Sequence, residues 1–378
     1  MKKADFFDAL RRGLAGLPEA DAQNVLDYYG ELIDDRVDEG MDEEAAVAAL
    51  GSVDELAAAV LADRPVTGLI QKYMQPRQET KKAAREGDNW TVPGGFRAIS
   101  VQNRAADVRL EHSPDADCHV TYEGNGRNAP REVVVESGTL CIRGERGSAE
   151  SVRGGWIERL FSRLETDFSM DERITLWLPG TDYESLRVSL MSGDFDLNSG
   201  FRIGDVVLKT VSGDVDVEGF SGGQMRIETA SGDVKLEGAE LSGELWVGAA
   251  SGDVNGENLR CRAAILQTAS GDLGIELLSC DRAELKTASG DLDLERMICA
   301  GPLTAVTASG DLRLAGCDAH GATLRTVSGD VDAEFLRQMR YETHTVSGDV
   351  SLPAGGAAPG ADLCSIHTVS GDICVTVQ

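Results

Sequence analysis

The first 64 residues carry apolar side chains at the three- and four-residue spacing of amphipathic helices. One such stripe ends before Pro18, a second ends at Gly40 and a third ends at Gly51, after which Ser52 is placed to cap a fourth helix. The apolar positions of the first two stripes are Phe6, Phe7, Leu10, Leu14, Leu17, Val25, Leu26, Tyr29, Leu32, Ile33 and Val37. Residues 1–64 are therefore predicted to form a small helical bundle.

From residue 190 onward, apolar and polar residues alternate at a period of two around a repeated Ser-Gly-Asp triplet. The triplet occurs ten times at steps of 19 or 20 residues, apart from a last step of 23. Its glycines are Gly193, Gly213, Gly232, Gly252, Gly271, Gly290, Gly310, Gly329, Gly348 and Gly371. One rung cannot bury an apolar face alone, whereas stacked rungs can. The repeat predicts a β-solenoid, or β-helix, of about ten 19–20-residue rungs.

Each triplet is predicted to form a sharp turn. Its glycine would supply a positive φ, and its aspartate would accept hydrogen bonds from turn N–H groups. The aspartates would then form a column in which neighbours about 4.8 Å apart repel by about 0.9 kcal/mol in bulk water. We expect backbone N–H groups or cations to offset this repulsion, and calcium binding by the column is one alternative.

Together these patterns predict an α + β multidomain chain. The helical bundle at 1–64 is followed by a charged linker at 65–94 and then by a β domain at 95–378. Within this β domain, residues 95–189 are predicted to hold degenerate strands and one amphipathic helix, and residues 190–378 hold the repeats. The two parts are expected to fold independently.

The amphipathic helix is predicted at residues 153–164, where an apolar stripe runs beside Arg153, Arg159 and Arg163. Two placements fit this pattern. The helix could cap the solenoid, because solenoid ends need covering. It could instead make peripheral membrane contact, with its aromatic side in the interface and its arginines at the headgroups.

Composition narrows the class of protein. The formal net charge is −28, which repels a polyphosphate backbone and argues against direct nucleic-acid binding. Charged residues interrupt the N-terminal segment, so no secretory signal is expected, and no stretch reaches the roughly 20 apolar residues of a membrane span. A cytoplasmic protein, soluble or peripherally attached to a membrane, is predicted.

The sequence contains no constellation that predicts catalysis. The repeated serines lack a partner histidine in almost every rung, and the repeats are poor in the aromatic residues that stack on sugars. The eight cysteines form no C-x-x-C pair, although Cys261, Cys280 and Cys299 fall in one column of three rungs. Stacked core thiols and a metal-thiolate ladder are the two interpretations of that column. No catalytic residue and no cofactor is predicted, and the protein is expected not to be an enzyme.

Two regions resemble known bacterial families. The first 60 residues are similar to the HAAS module, whose pattern appears here as Leu17-Pro18, Tyr28-Tyr29 and Leu50-Gly51-Ser52. The Thr-x-Ser-Gly-Asp repeats, with earlier strands from near Phe96, resemble the toastrack domain, which is also called the putative-adhesin domain. The HAAS resemblance implies a role in envelope-stress signalling and a PadR-like transcription regulator as partner.

The leading functional prediction is a non-enzymatic signalling or scaffold protein, in which the helical module docks a regulator and the solenoid is a rigid interaction surface. Tyr28, Tyr29, Asp34 and Asp35 on the second predicted helix are the candidate partner-binding residues. A surface adhesin and a carbohydrate-active β-helix enzyme are the two alternatives. The absent signal sequence argues against the first, and the absent catalytic cluster argues against the second.

Overall fold

The computed structural model describes residues 3–14, 26, 42, 44, 47, 81–144, 172–198, 200–355 and 359–378. The chain divides into two compact units, Met1–Glu79 and Thr80–Gln378. The first unit contains the predicted helical module, and the second contains the predicted β domain.

Most described residues of the first unit are helical, as predicted. Helix α1 (Lys3–Gly13) and the turn residue after it bury Phe6, Leu10 and Leu14, which follow one another at four-residue spacing and so lie on one face. Leu26 and Val47 are also helical and buried. The other residues of the predicted second, third and fourth helices lie outside the described residues.

The second unit is built from short strands. In chain order they are β1 (Lys81–Lys82), β2 (Ala84–Glu86), β3 (Asn89–Pro93), β4 (Ala98–Gln102), β5 (Asp107–His112), β6 (Asp117–Glu123), β7 (Glu132–Glu136), β8 (Thr139–Arg143), β9 (Arg173–Leu178), β10 (Asp182–Ser189), β11 (Phe195–Leu197), β12 (Arg202–Lys209), β13 (Val215–Glu218), β14 (Ser221–Ser231), β15 (Val234–Glu237), β16 (Glu240–Leu241), β17 (Glu244–Ser251), β18 (Val254–Arg260), β19 (Ala263–Gln267), β20 (Leu273–Cys280), β21 (Arg282–Lys286), β22 (Leu292–Glu295), β23 (Ile298–Cys299), β24 (Leu303–Val306), β25 (Leu312–Ala319), β26 (Ala322–Arg325), β27 (Val331–Phe335), β28 (Arg340–His344), β29 (Val350–Ser351), β30 (Leu363–His367) and β31 (Ile373–Val377).

These strands stack in parallel layers, which confirms the predicted β-solenoid. In each repeat, one strand enters the Ser-Gly-Asp turn and the next leaves it. The entering strands pair with one another and form what we call the entry face: β10, β12, β14, β17, β19, β21, β24, β26, β30 and β28. The leaving strands form the exit face: β11, β13, β15, β18, β20, β22, β25, β27, β31 and β29.

The core lies between these faces because alternate side chains of each strand point inward. Val247, Leu266 and Leu285, for example, are buried register partners on three successive layers of the entry face. Each fully buried side chain of this kind contributes about 1.5–3 kcal/mol. A lone rung would expose the same side chains, so the stack supplies the stability that no single repeat has.

The layers do not follow chain order at either end. The layer of β4 and β5 comes first in the sequence, yet it lies between the layer of β8 and β9 and that of β10 and β11. The last layer in the sequence, β30 and β31, lies between the layer of β26 and β27 and that of β28 and β29. The final repeat is therefore interior to the stack, and the layer before it is terminal.

Antiparallel strands close the other end of the stack, and they require a correction to the predicted linker. Strand β7 pairs with β8 and β1, while β6 pairs with β9 and β3, and β3 with β2. Residues 81–93, which the sequence assigned to the 65–94 linker, thus belong to the β unit. Trp90 and Val92 are buried in its core. Their strand was missed because exposed charged residues precede it and dominate the local composition.

The segment predicted as an amphipathic helix, residues 153–164, lies outside the described residues, as does the remainder of 145–171 between β8 and β9. Within the portions of the chain that are described, no helix is long and apolar enough to cross a membrane.

Candidate functional site

The Ser-Gly-Asp turns form one corner of the solenoid, and their glycines are needed for a reason that differs from the predicted one. A positive φ occurs at only two of the ten, Gly252 at 142° and Gly348 at 154°. A Cβ on Gly271 would lie 2.1 Å from the carbonyl oxygen of Gly252 in the neighbouring layer. The same clash recurs up the corner, at 2.0 Å for Gly290 against Gly271. The glycines are therefore required by close contact between layers, and the predicted positive φ is wrong for eight of the ten.

The aspartates of the triplets form a continuous hydrogen-bonded column, which we call the Asp ladder. In each layer the Asp backbone N–H donates to the Oδ1 atom of the aspartate below, for example from Asp272 to Asp253 at 2.8 Å. The contact repeats from Asp194 to the terminal Asp349. Because each carboxylate before the terminal layer accepts a backbone N–H, part of its repulsion from its neighbours is offset. The expected N–H acceptance is confirmed.

The ladder begins at a residue outside the repeats. Asp107 occupies the equivalent place in the layer of β4 and β5, and its Oδ1 accepts the N–H of Asp194 at 3.1 Å. Burial raises the pKa of the Asp107 carboxyl, and the nearby Asp194 charge adds to that effect. Sequence reasoning missed this member because Asp107 follows Ala105-Ala106 instead of Ser-Gly.

Threonines two residues before the serines form a second column on the inner side of the corner. The Thr287 hydroxyl donates to the carbonyl oxygen of Gly271 at 3.0 Å, and Thr307 does the same to Gly290 at 3.0 Å. Equivalent bonds are made by Thr268, Thr326, Thr345 and Thr368. Thr210 and Thr229 are exceptions, since their buried Oγ1 atoms have no partner. The Thr-x-Ser-Gly-Asp motif thus joins adjacent layers through its threonine, glycine and aspartate.

A second acidic column on the exit face was not predicted. Five glutamates are register partners on successive layers, and we call them the Glu ladder: Glu218, Glu237, Glu257, Glu276 and Glu295. Their side chains point outward and are exposed or half-buried. Each lies six residues after its repeat serine, so aligning the repeats by their serines would have revealed the column. The exit face therefore carries two parallel rows of carboxylates.

A shallow groove of about 280 Å³ lies on the exit face toward the terminal layers. Its lining includes Asp293, Glu295, Asp332 and Glu334 with a single cation, Arg313. The Arg313 guanidinium lies 3.1 Å from the Asp311 carboxylate and 3.8 Å from Asp293. These pairs leave most of the groove's acidic charge uncompensated.

The entry face carries a buried glutamate that is paired with two cations. Glu228 is almost fully buried there and is held by Arg226 at 2.6 Å and Lys209 at 2.9 Å. Burial raises the pKa of Glu228, but these two cations outweigh it and the net effect is a lowered pKa. The Arg226 guanidinium also lies 3.6 Å from the centroid of the Trp246 ring. In this cluster Glu228 is paired with both cations, so its carboxylate is not available to an outside partner.

The predicted cysteine column is present at a third edge of the stack. Cys261, Cys280 and Cys299 are all buried. Among the residues that the structure describes, no group of three or more His, Cys, Asp or Glu side chains is arranged to hold a metal ion. The predicted partner-binding residues Tyr28, Tyr29, Asp34 and Asp35 lie outside the described residues.

The stacked layers and the repeated corner define a β-solenoid repeat protein. The chain belongs to the Toastrack DUF4097 family, whose model matches residues 96–243 and again 242–376. The HAAS family model matches residues 5–59. Both resemblances noted in the sequence are therefore confirmed, and the chain combines a HAAS module with a toastrack solenoid.

Comparison with solved structures finds matches to bacterial proteins. One is described as a putative adhesin from Bacteroides fragilis, with 15% identity, coverage of 79% of this chain and 98% of that one, and a TM-score of 0.37. Another is described as a putative lipid binding protein from Parabacteroides distasonis, with 16% identity, coverage of 76% and 97%, and a TM-score of 0.39. TM-scores this low support no inference about binding or activity. Comparison with curated proteins finds no match.

Proposed function

We propose that this protein is a non-enzymatic signalling or scaffold protein of the cytoplasm. In this proposal the HAAS module docks a protein regulator, for which a PadR-like transcription regulator is the candidate. The solenoid presents a long, rigid surface to another protein. The proposal assigns the docking contacts to Tyr28, Tyr29, Asp34 and Asp35, since tyrosines give rigid amphipathic contact area and aspartates steer basic partners.

The observation that carries the solenoid's role is the pair of acidic columns on the exit side. The Asp ladder is tied to the backbone at every layer, so its carboxylates are held in fixed positions about 4.8 Å apart. The Glu ladder runs beside it over five successive layers. Lys235 and Arg296 pair with Glu237 and Glu276 of the Glu ladder, so the remaining repulsion is greatest along the Asp ladder. A complementary basic surface would relieve that repulsion.

The chemistry of the array favours a basic protein segment as its partner. Two unit charges 4.8 Å apart repel by about 0.9 kcal/mol in water, and by more near a protein surface. Lysine and arginine side chains placed between the two columns would replace this repulsion with attraction. Such binding should weaken as ionic strength rises, because salt screens exposed charges beyond about 8–10 Å. The net charge of −28 disfavours nucleic acid as the partner.

The test is affinity purification from the native bacterium with the full chain as bait. One variant carries Glu237→Gln, Glu257→Gln and Glu276→Gln on the exit face. The matched control carries Glu244→Gln, Glu284→Gln and Glu342→Gln on the entry face, so both lose three negative charges. We expect only the exit-face variant to lose partners that elute with salt. Equal capture by both variants, or equal loss from both, would contradict the assigned role of the exit face.

A further inference from the structure

Two buried thiols on adjacent layers are in direct contact. The Cys280 and Cys299 sulfur atoms are 3.3 Å apart, within a hydrogen bond that either thiol can donate. Cys280 ends β20, Cys299 ends β23, and the two are register partners in a parallel pair of strands. Their exposed fractions are 6% and 2%. The core explains why these side chains are apolar, but it does not require their sulfurs to touch.

The backbone geometry suits a covalent bond between the two sulfurs. Register partners on neighbouring parallel strands lie about 4.8 Å apart, inside the 4.4–6.8 Å range of Cα separations that disulfides span. The sulfurs would approach by about 1.3 Å, from 3.3 Å to the bonded distance of about 2.0 Å. Shared between two side chains, that displacement requires no change of strand register.

We propose that Cys280 and Cys299 are an oxidative modification site, at which a small uncharged peroxide produces a reversible disulfide between adjacent layers of the solenoid. In the first step one sulfur attacks the peroxide, the O–O bond breaks, and a sulfenic acid and water form when hydrogen peroxide is the oxidant. In the second step the other sulfur attacks the sulfenic acid sulfur and the S–O bond breaks. The departing hydroxide takes the proton of the second thiol and leaves as water. Two S–H bonds are lost, one S–S bond forms, and the two electrons reduce the peroxide to two waters.

The surroundings of the pair determine which oxidants can act. The hydrogen bond with Cys299 and burial both raise the pKa of the Cys280 thiol, so the reactive thiolate is rare. Oxidation is therefore slow, and a small neutral peroxide is favoured over bulky or charged disulfides. Cys261, one layer away in the same column, is also buried, and burial raises its pKa to about 12. The direct sulfur contact of Cys280 is with Cys299.

The bond would join two layers near the middle of the stack. It closes a loop between residues 280 and 299 and so restricts the unfolded chain, which raises the melting temperature. In a solenoid, where each layer contacts only its neighbours, such a bond should also suppress local separation of those two layers. The reduced thiols remain part of the core, as the sequence predicts.

The experiment treats the folded full chain with hydrogen peroxide, blocks the remaining thiols and digests the protein with trypsin. The expected product is peptide 263–282, which contains Cys280, linked to peptide 297–313, which contains Cys299. Reduction with dithiothreitol should separate the two peptides and restore the original melting temperature. A Cys374→Ser background removes the half-buried thiol at which unrelated surface oxidation would occur.

Two variants locate the site. Cys299→Ala should abolish the linked peptide and the rise in melting temperature, whereas Cys261→Ala, in the same column, should retain both. The proposal is overturned if peroxide leaves peptides 263–282 and 297–313 unlinked in the folded wild-type chain. It is equally overturned if Cys280 is found linked to Cys261. Circular dichroism of each variant before oxidation shows that the comparison is made on folded protein.

Discussion

At the scale of single residues, three residue types of the repeat motif hold adjacent layers together. On the inner side of the corner, a threonine hydroxyl donates a hydrogen bond to a glycine carbonyl oxygen of the adjacent layer, as Thr287 does to Gly271. On the outer side of the corner, an aspartate carboxylate accepts a backbone N–H from the next layer, as Asp253 does from Asp272. Glycine allows the backbones to approach closely enough for both bonds to form. The serine lies exposed between them.

The glycine requirement predicts the effect of adding a single methyl group. Gly271→Ala places a Cβ 2.1 Å from the Gly252 carbonyl oxygen, so the two layers must separate. We expect a loss of about 1–3 kcal/mol in the free energy of unfolding, the usual cost of overpacking. Ala269→Val is the matched control, because valine stands at the equivalent place as Val327. Thermal and urea unfolding measure both, and equal stability of the two variants would disprove the interlayer clash.

The threonine column offers a comparison within one motif. Thr287→Val removes the hydrogen bond to Gly271 and leaves that carbonyl with one partner fewer, so we expect a loss of about 1 kcal/mol. Thr229→Val removes a buried hydroxyl that has no partner, and should be neutral or stabilising. Urea unfolding of the two variants gives the difference. If Thr229→Val costs as much as Thr287→Val, the hydroxyl bonds do not stabilise the corner.

Residue patterns predict the solenoid well because burial along a strand depends on local alternation. They predict the corner less well. The closest atom to a Cβ on Gly271 belongs to Gly252, and that distance depends on how layers stack rather than on the local sequence. Local sequence suggests that the triplet needs glycine for a positive φ, whereas the structure shows that it needs glycine for the close contact between layers. The Glu ladder could have been predicted from the sequence by aligning the repeats at their serines.

At the scale of strands and layers, the main departure from expectation is the order of stacking. Chain order places the Ser347 repeat next to that of Ser328, whereas the structure pairs Ser328 with Ser370 and Ser370 with Ser347. The repeats have nearly the same length and pattern, so each could pair with any other. The longer insertion before Ser370 gives the chain enough length to return one layer. Sequence periodicity contains no information that distinguishes these two orders.

Engineered disulfides test the stacking order. Ser328→Cys with Ser370→Cys places two exposed thiols on adjacent layers, about 4.8 Å apart and within disulfide reach. Ser328→Cys with Ser347→Cys places them two layers apart, about 9.6 Å, which exceeds that reach. Mild oxidation should link the first pair and not the second, as measured by tryptic mapping. Linkage of the second pair would indicate that the layers stack in chain order, and would contradict the order described here.

The Glu228 cluster on the entry face predicts a pH dependence. Because the pKa of Glu228 is lowered in the folded chain, its contribution to stability is present above the unfolded pKa of about 4.3 and is lost as pH falls through the folded pKa. Glu228→Gln should therefore cost about 1 kcal/mol at pH 7 and much less at pH 3. Glu284→Gln removes an exposed partner of Lys286 and serves as control. Urea unfolding at both pH values would refute the assignment if the cost of Glu228→Gln were unchanged.

At the scale of the whole molecule, the chain divides into two compact units between Glu79 and Thr80. Trypsin should first cut between residues 65 and 79, a segment whose tryptic sites are Lys72 and Arg77, and release a solenoid fragment that stays folded. Residues 81–93 should resist cleavage, because they pair with the antiparallel end of the stack. Mass spectrometry of early fragments locates the cut. A first cut within 81–93 or within the repeats would contradict this division.

The most direct test of the proposed function is affinity purification that separates the two units. Three baits are compared in the native bacterium: the full chain, residues 65–378, and the full chain with Tyr28→Ala and Tyr29→Ala, shown by circular dichroism to be folded. A regulator should co-purify with the full chain and be lost from both other baits. Retention of that regulator by residues 65–378 would show that the helical module does not dock it, and would contradict the proposed function.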